Sequence, residues 1–293
     1  MGTSKSTQKF RAEAVIAGLG KAVRQRDLLK LGVSTRQIRL ALDDGRIVRV
    51  ARGYYALPGV EALEIYLARN QARLSCMSKV AELGLWLLNE PAAPHVAAAH
   101  GHPIPGCVVH RVMGGQTLLD LLRQCVKCGT ELEALVIVES AVVKGKCSIG
   151  SLREAFTGRE DAAGRAILDL IDPQSMSIAE TCGRYHLRKA GYNVQGQAYV
   201  KDAGHLDLLV EGVLGVELDG REFHDTASGW EEDLRRDTMF VVNGVWRLRI
   251  PAAVALYKPE LMLAWVSQAL AAIRSTQNPP AVPRGTCRRP EIV

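Results

Sequence analysis

The sequence contains no run of eighteen or more uninterrupted apolar residues, so nothing in it reads as a membrane span. It has no basic-then-apolar leader, which argues against secretion and makes the cytoplasm the expected location. It also has no low-complexity tract, and its 47% hydrophobic and 23% charged residues give the composition of a folded chain. A framework of paired cysteines is missing as well. The seven, Cys76, Cys107, Cys125, Cys128, Cys147, Cys182 and Cys287, are odd in number and scattered, as suits a reducing compartment. Cys125 and Cys128 form the one close pair. A structural zinc site needs four ligands, and no second Cys-x-x-Cys or His-x-x-x-His accompanies them, although Cys107, His110 and Cys147 are available for recruitment in space. The pair therefore reads as helix cysteines, and His95, His100, His102 and His110, whose spacing matches no common ligand pattern, as surface or core histidines.

What is present is an uneven charge. The net charge is +6, yet residues 1–58 alone hold twelve Lys or Arg against four acids, Glu13, Asp27, Asp43 and Asp44. That balance of +8 leaves about −2 for everything after it. At 293 residues the chain can build two domains of ordinary size, and the basic surface belongs to the first.

In chain order, residues 10–20 read as a helix and 26–31 as a second, stopped by Gly32. Ser34 is a good N-cap for a third from Thr35 to Leu42, which leaves Arg36, Gln37 and Arg39 off its apolar face. The run 46–57 alternates as a hairpin with Arg46, Arg49 and Arg52 on one side. Helix, helix after a glycine turn, then basic hairpin is the order of a winged helix-turn-helix. Such a helix enters the major groove of double-stranded DNA while wing arginines meet phosphate or the minor groove. The alternative is that these cations only solvate a small bundle.

Residues 59–172 read as a mixed, mainly helical middle region, with helices expected at 62–72, 77–88, 117–124, 132–144 and 151–170, and turns and short strands over 95–110. Asp172-Pro173 marks a boundary. Ser177-Ile178-Ala179-Glu180 has the form of a capping box opening a helix to Lys189. Strands near 193–200, 205–210 and 214–218, a helix near 229–242 and a strand at 245–250 then give the order αβββαβ over 173–276. Residues 277–293 are expected to form a basic tail. The fold class is therefore α/β, or α+β taken over the whole chain.

Asp207 and Glu217 fall on consecutive strands joined by a tight turn. Carboxylates so placed can converge on one Mg²⁺ or Mn²⁺, with Asp219 as a further ligand or orienting group. A metal there lowers the pKa of its bound water, and His224 can accept the proton, so the set is chemically suited to hydrolysing a phosphodiester, of DNA or of RNA. Glu180 is a helix-borne accessory acid in this reading. Each residue also has a plain structural role: Asp207 pairing with an arginine, Glu217 as a partly exposed strand residue, Asp219-Gly220 as turn chemistry, and Glu180 completing its capping box. On the following helix, Arg236 can pair with Asp233 or serve the site.

Two resemblances follow. Asp207, the run Val216-Glu217-Leu218-Asp219-Gly220 with His224, the Arg235-Arg236-Asp237 run and the segment 244–249 resemble the DUF559 domain, related to very-short-patch-repair endonucleases of the PD-(D/E)XK superfamily. That likeness spans about 175–275 and implies a metal-dependent DNA endonuclease, with Glu217-Leu218-Asp219 standing where the superfamily has Glu-x-Lys. The basic N-terminal part, with Gly32 to Arg39 and Gly53-Tyr54-Tyr55, is similar to the winged-helix domain of AbiEi-type antitoxins, and 73–157 to the region that accompanies it. This second likeness implies a repressor with a cognate toxin as partner, in which the nuclease fold is a scaffold.

Overall fold

The computed structural model describes residues 11–19, 22–220 and 227–277, which divide into two compact units; the expected site residue His224 lies outside the described residues. Among the described residues no helix is long and apolar enough to cross a membrane.

The first unit takes the described residues up to Gly84 together with 90–128. It opens with α1 (Ala12–Leu19), β1 (Ala22–Arg24), α2 (Gln25–Lys30), α3 (Thr35–Asp43), β2 (Val48–Ala51) and β3 (Tyr54–Ala56). The strands form an antiparallel sheet in the order β1-β3-β2. Between α2 and α3 the chain reverses at Gly32, whose φ of +82° suits glycine, while the Val33 N–H reaches back to the Leu28 carbonyl and that of Gly32 to Leu29. This closure buries Val33 with Ala12, Ile16, Leu28, Ile38 and Ala41 in one small core. Ser34 caps α3 as expected: its Oγ accepts from the Gln37 N–H, and the Gln37 side chain accepts from the Ser34 N–H. Ser34→Ala is expected to cost about 1 kcal/mol in a chemical denaturation of the full chain; an unchanged midpoint would show that α3 is held by packing alone.

The same unit continues through α4 (Ala62–Arg69), β4 (Ala72–Leu74), β5 (His95–Ala98), β6 (Val108–Arg111) and α5 (Leu118–Cys128). Here β5 pairs antiparallel with β4 and parallel with β6. Residues 77–88 do not form the expected helix. The segment makes two short 3-10 turns, Cys76–Lys79 and Ala81–Leu83, ending at Gly84 with φ +64°. Its polar groups are committed elsewhere: the Ser78 Oγ accepts from the His95 N–H, and the Trp86 N–H donates to the Ser140 Oγ.

The second unit takes 85–89 and the described residues from Gly129 to Gln277. It contains α6 (Glu131–Val143), α7 (Ile149–Ala155), α8 (Ala162–Leu168), α9 (Ile178–Lys189), β7 (Val194–Val200), β8 (Gly204–Val210), β9 (Leu214–Asp219), α10 (Ala227–Val242), β10 (Trp246–Pro251), α11 (Ala252–Tyr257) and α12 (Pro259–Gln277). The expected helix over 151–170 is broken into α7 and α8, whereas the order from α9 to β10 is αβββαβ as expected. The sheet runs β10-β9-β8-β7, with β10 parallel to β9 and the other pairs antiparallel. One core gathers Leu187, Leu208, Val216, Leu218, Ile250, Met262 and Val266 against α9, α11 and α12, and a second gathers Val200, Leu206, Phe240 and Val245 beneath α10. Leu206 and Leu208, two residues apart on β8, thus serve different clusters. Opposite Asp207, which lies between them, Gln197 has φ +47°.

Candidate nucleic-acid interface and the carboxylate cluster

Burial of Ile38 and Ala41 fixes which side of α3 faces inward, and leaves Arg36 and Arg39 exposed. Arg49 on β2 and Arg52 at the turn into β3 are exposed as well. The expected set splits at two positions. Gln37 is half-buried and spends its side-chain oxygen on the cap. Arg46 meets Glu13 and Asp44, each at 2.7 Å, and so ties α1 to the end of α3. Burial alone raises the Glu13 carboxyl, but its hydrogen bonds, Arg46 among them, hold it below its ordinary value. Four exposed guanidinium groups thus remain on α3 and the β2–β3 ribbon.

In the second unit the structure brings acids and arginines together. Glu217 is 7% exposed and sits on β9 between Arg236 of α10, at 3.3 Å, and Arg247 of β10, with which it makes a close ion pair. Arg247 also pairs with Asp237, and both arginines lie over the Phe240 ring. Asp219 meets the Arg249 Nε at 2.6 Å, and Arg249 reaches Asp233 at 3.5 Å. The same-helix pairing of Asp233 with Arg236 is therefore replaced. Asp233 meets Arg249, and Arg236 donates to the Ala203 and His205 carbonyls. Asp207 turns its carboxylate toward the adjacent strand and accepts the Leu218 N–H at 2.8 Å. Glu180 completes only half a capping box: the Ser177 Oγ accepts its N–H, but its carboxylate accepts from the Met176 N–H and the Gln197 amide.

The expected convergence of Asp207 and Glu217 on one divalent ion is thus answered, in this arrangement, by guanidinium groups on Glu217 and a peptide N–H on Asp207. A hard ion at Glu217 would have to displace two donors from a buried carboxylate, at the cost of leaving their charges unpaired. The residues present do not fit Mg²⁺ or Mn²⁺ as arranged. Sequence reading missed Arg247 and Arg249 as partners because β10 joins β9 only after a helix has intervened. The signal was there in the alternation Arg247-Leu248-Arg249, which places both arginines on one face of a strand.

Asp207 has one measurable consequence. Burial, with Glu180 and Asp219 nearby, raises its carboxyl above the ordinary value, opposed by the Leu218 N–H and Arg236. The folded state then holds the proton more tightly than the unfolded chain, a contribution present in acid and lost as pH rises through the folded pKa. Asp207→Asn keeps an oxygen for the Leu218 N–H and removes the charge. It is expected to hold or raise urea stability at neutral pH and to flatten its change in acid. A loss above about 1 kcal/mol at neutral pH would show that the ionised form is needed.

The exposed arginines of the first unit thus lie together on a short helix and an adjoining strand pair. Residues 11–58 match the family model described as "Transcriptional regulator, AbiEi antitoxin". No curated protein matches the chain.

Proposed function

We propose that the chain is a DNA-binding transcriptional regulator of the AbiEi antitoxin kind, and that 12–56 act as a winged helix-turn-helix. In this reading α3 enters the major groove with Arg36 and Arg39, while Arg49 and Arg52 on the β2–β3 ribbon meet the backbone. The observation that carries it is the placement of four exposed arginines on those elements, within the segment that matches the family model. Arg46 stabilises the module, and Gln37 serves the cap. The second unit, in a protein of this kind, is the surface offered to a toxin partner.

The test is a reporter driven by the DNA upstream of the chain's own gene. Co-expression of the full chain is expected to lower its output, and Arg36→Ala with Arg39→Ala to restore it. An output that the protein does not change would overturn the reading. The nuclease reading of the second unit predicts instead that the full chain nicks plasmid with Mg²⁺ or Mn²⁺ and that Asp207→Asn abolishes it; the arginine pairs on Glu217 favour intact plasmid in both cases.

A further inference from the structure

The first unit holds a second constellation that its regulator reading leaves unused. Cys76, His95, His110 and Cys128 bring one ligand atom each to a common point, all four within 4.8 Å of one another. They come from four places in the fold: the turn after β4, the start of β5, the middle of β6 and the last residue of α5. The His95 Nδ1 lies 3.1 Å from the His110 Nε2, and the His110 Nε2 lies 3.9 Å from the Cys128 Sγ. Bond lengths of about 2.0–2.1 Å to nitrogen and 2.3 Å to sulfur, in a tetrahedron, set ligand separations of roughly 3.3 Å between nitrogens and 3.5 Å between nitrogen and sulfur. The observed pairs stand within a few tenths of an ångström of those values. A lone N–H···N bond would explain the two imidazoles but not two sulfurs gathered round them.

We propose that these four residues bind one Zn²⁺ in a closed, structural Cys₂His₂ site. Two thiolates and two imidazoles are a soft and borderline set that selects zinc over the hard ions, and four protein ligands leave no position for a substrate. The two thiol protons pass to solvent on binding, so the ion and its thiolates together are neutral, as suits a site whose Cys76 is fully buried. The surroundings are built to hold it. Cys76 has φ +48°, a conformation that L residues seldom adopt, and its neighbours are tied to His95: the Ser75 N–H donates to the His95 carbonyl and the Ser78 side-chain Oγ accepts the His95 N–H. The benefit is also local. Strands β4 to β6 are three or four residues long, and a bound ion would tie the starts of the β4–β5 turn and of β5 to β6 and the end of α5.

The experiment is metal analysis of the full chain purified without chelator and without a histidine tag, followed by cobalt substitution. Wild type is expected to carry about one zinc per chain, and its cobalt form to show a thiolate-to-cobalt charge-transfer band. Cys128→Ser and His110→Asn should each lose most of the zinc and alter that band, whereas Cys107→Ser and Cys147→Ser should keep both. Chelation of wild type should lower its melting temperature. A wild type without zinc and without the cobalt band overturns the site, and this result needs no variant to fold. Full zinc content in Cys128→Ser, or loss of zinc from Cys147→Ser in its place, overturns the ligand set.

Discussion

Glu139→Ala is expected to lower the folding stability of the second unit by about 3–5 kcal/mol, because it leaves a buried guanidinium without its carboxylate. Glu139 is fully buried in α6, and its partner Arg184 in α9 is 1% exposed. The Glu139 carboxylate accepts from Arg184, from the Thr181 hydroxyl and, at 2.7 Å, from the Asp172 N–H. Arg184 lies 3.8 Å from Asp172 as well. The carboxylate is therefore well supplied with donors, and the pair joins two helices and the segment between them. The cost of burying the charges has been met only because both are present. Pairing Glu139→Leu with Arg184→Met is accordingly expected to recover most of the loss, since an apolar pair of similar volume avoids desolvating either ion. Urea denaturation of wild type and the two variants checks this. A double variant as unstable as Glu139→Ala would show instead that the network supplies net stability beyond what it costs to bury.

The second large effect concerns DNA. Replacing Arg36, Arg39, Arg49 and Arg52 together by alanine is expected to abolish tight binding, and the single changes should differ in kind. Removing one phosphate-neutralising cation makes the fall of log affinity with log salt shallower by about 0.9, so the fourfold variant should show a slope shallower by roughly three to four if all four meet the backbone. Arg36 and Arg39, on the helix expected in the major groove, should cost about 1–3 kcal/mol and relax the choice of sequence if they read bases, whereas Arg49 and Arg52 should weaken all duplexes alike. Arg46→Ala tests the division of labour. Its guanidinium is held by Glu13 and Asp44, so its loss should lower stability and leave the salt slope unchanged.

The N-terminal module was legible because its signals are local. Ser34 before α3, Gly32 after α2 and the Arg-rich alternation each report on neighbours a few residues away, and the structure places a cap, a reversal and a strand pair there, while Gln37, read as a DNA contact, completes the cap instead. The order αβββαβ was legible for the same reason. Long-range pairing was not. The partners of Glu217 and Asp219 are contributed across the parallel β9–β10 pairing, thirty residues on in each case, and the Arg247-Leu248-Arg249 alternation marks a strand face without marking which strand it joins. The four Cys and His ligands are drawn from separate elements, so spacing rules built on short ligand pairs pass over them. The apolar pattern of 77–88 misled because it is helical in period, while the hydroxyl of Ser78 and the amide of Trp86 are used in tertiary bonds.

Recognition of DNA by residues 12–56 is tested most directly by titrating the full chain onto a labelled duplex taken from upstream of its own gene, with a shuffled duplex beside it. Saturable binding that favours the upstream duplex by about a thousandfold or more, and that weakens linearly in log salt, is the predicted result. Equal, weak binding to both duplexes at physiological salt, or none at low salt, would contradict it.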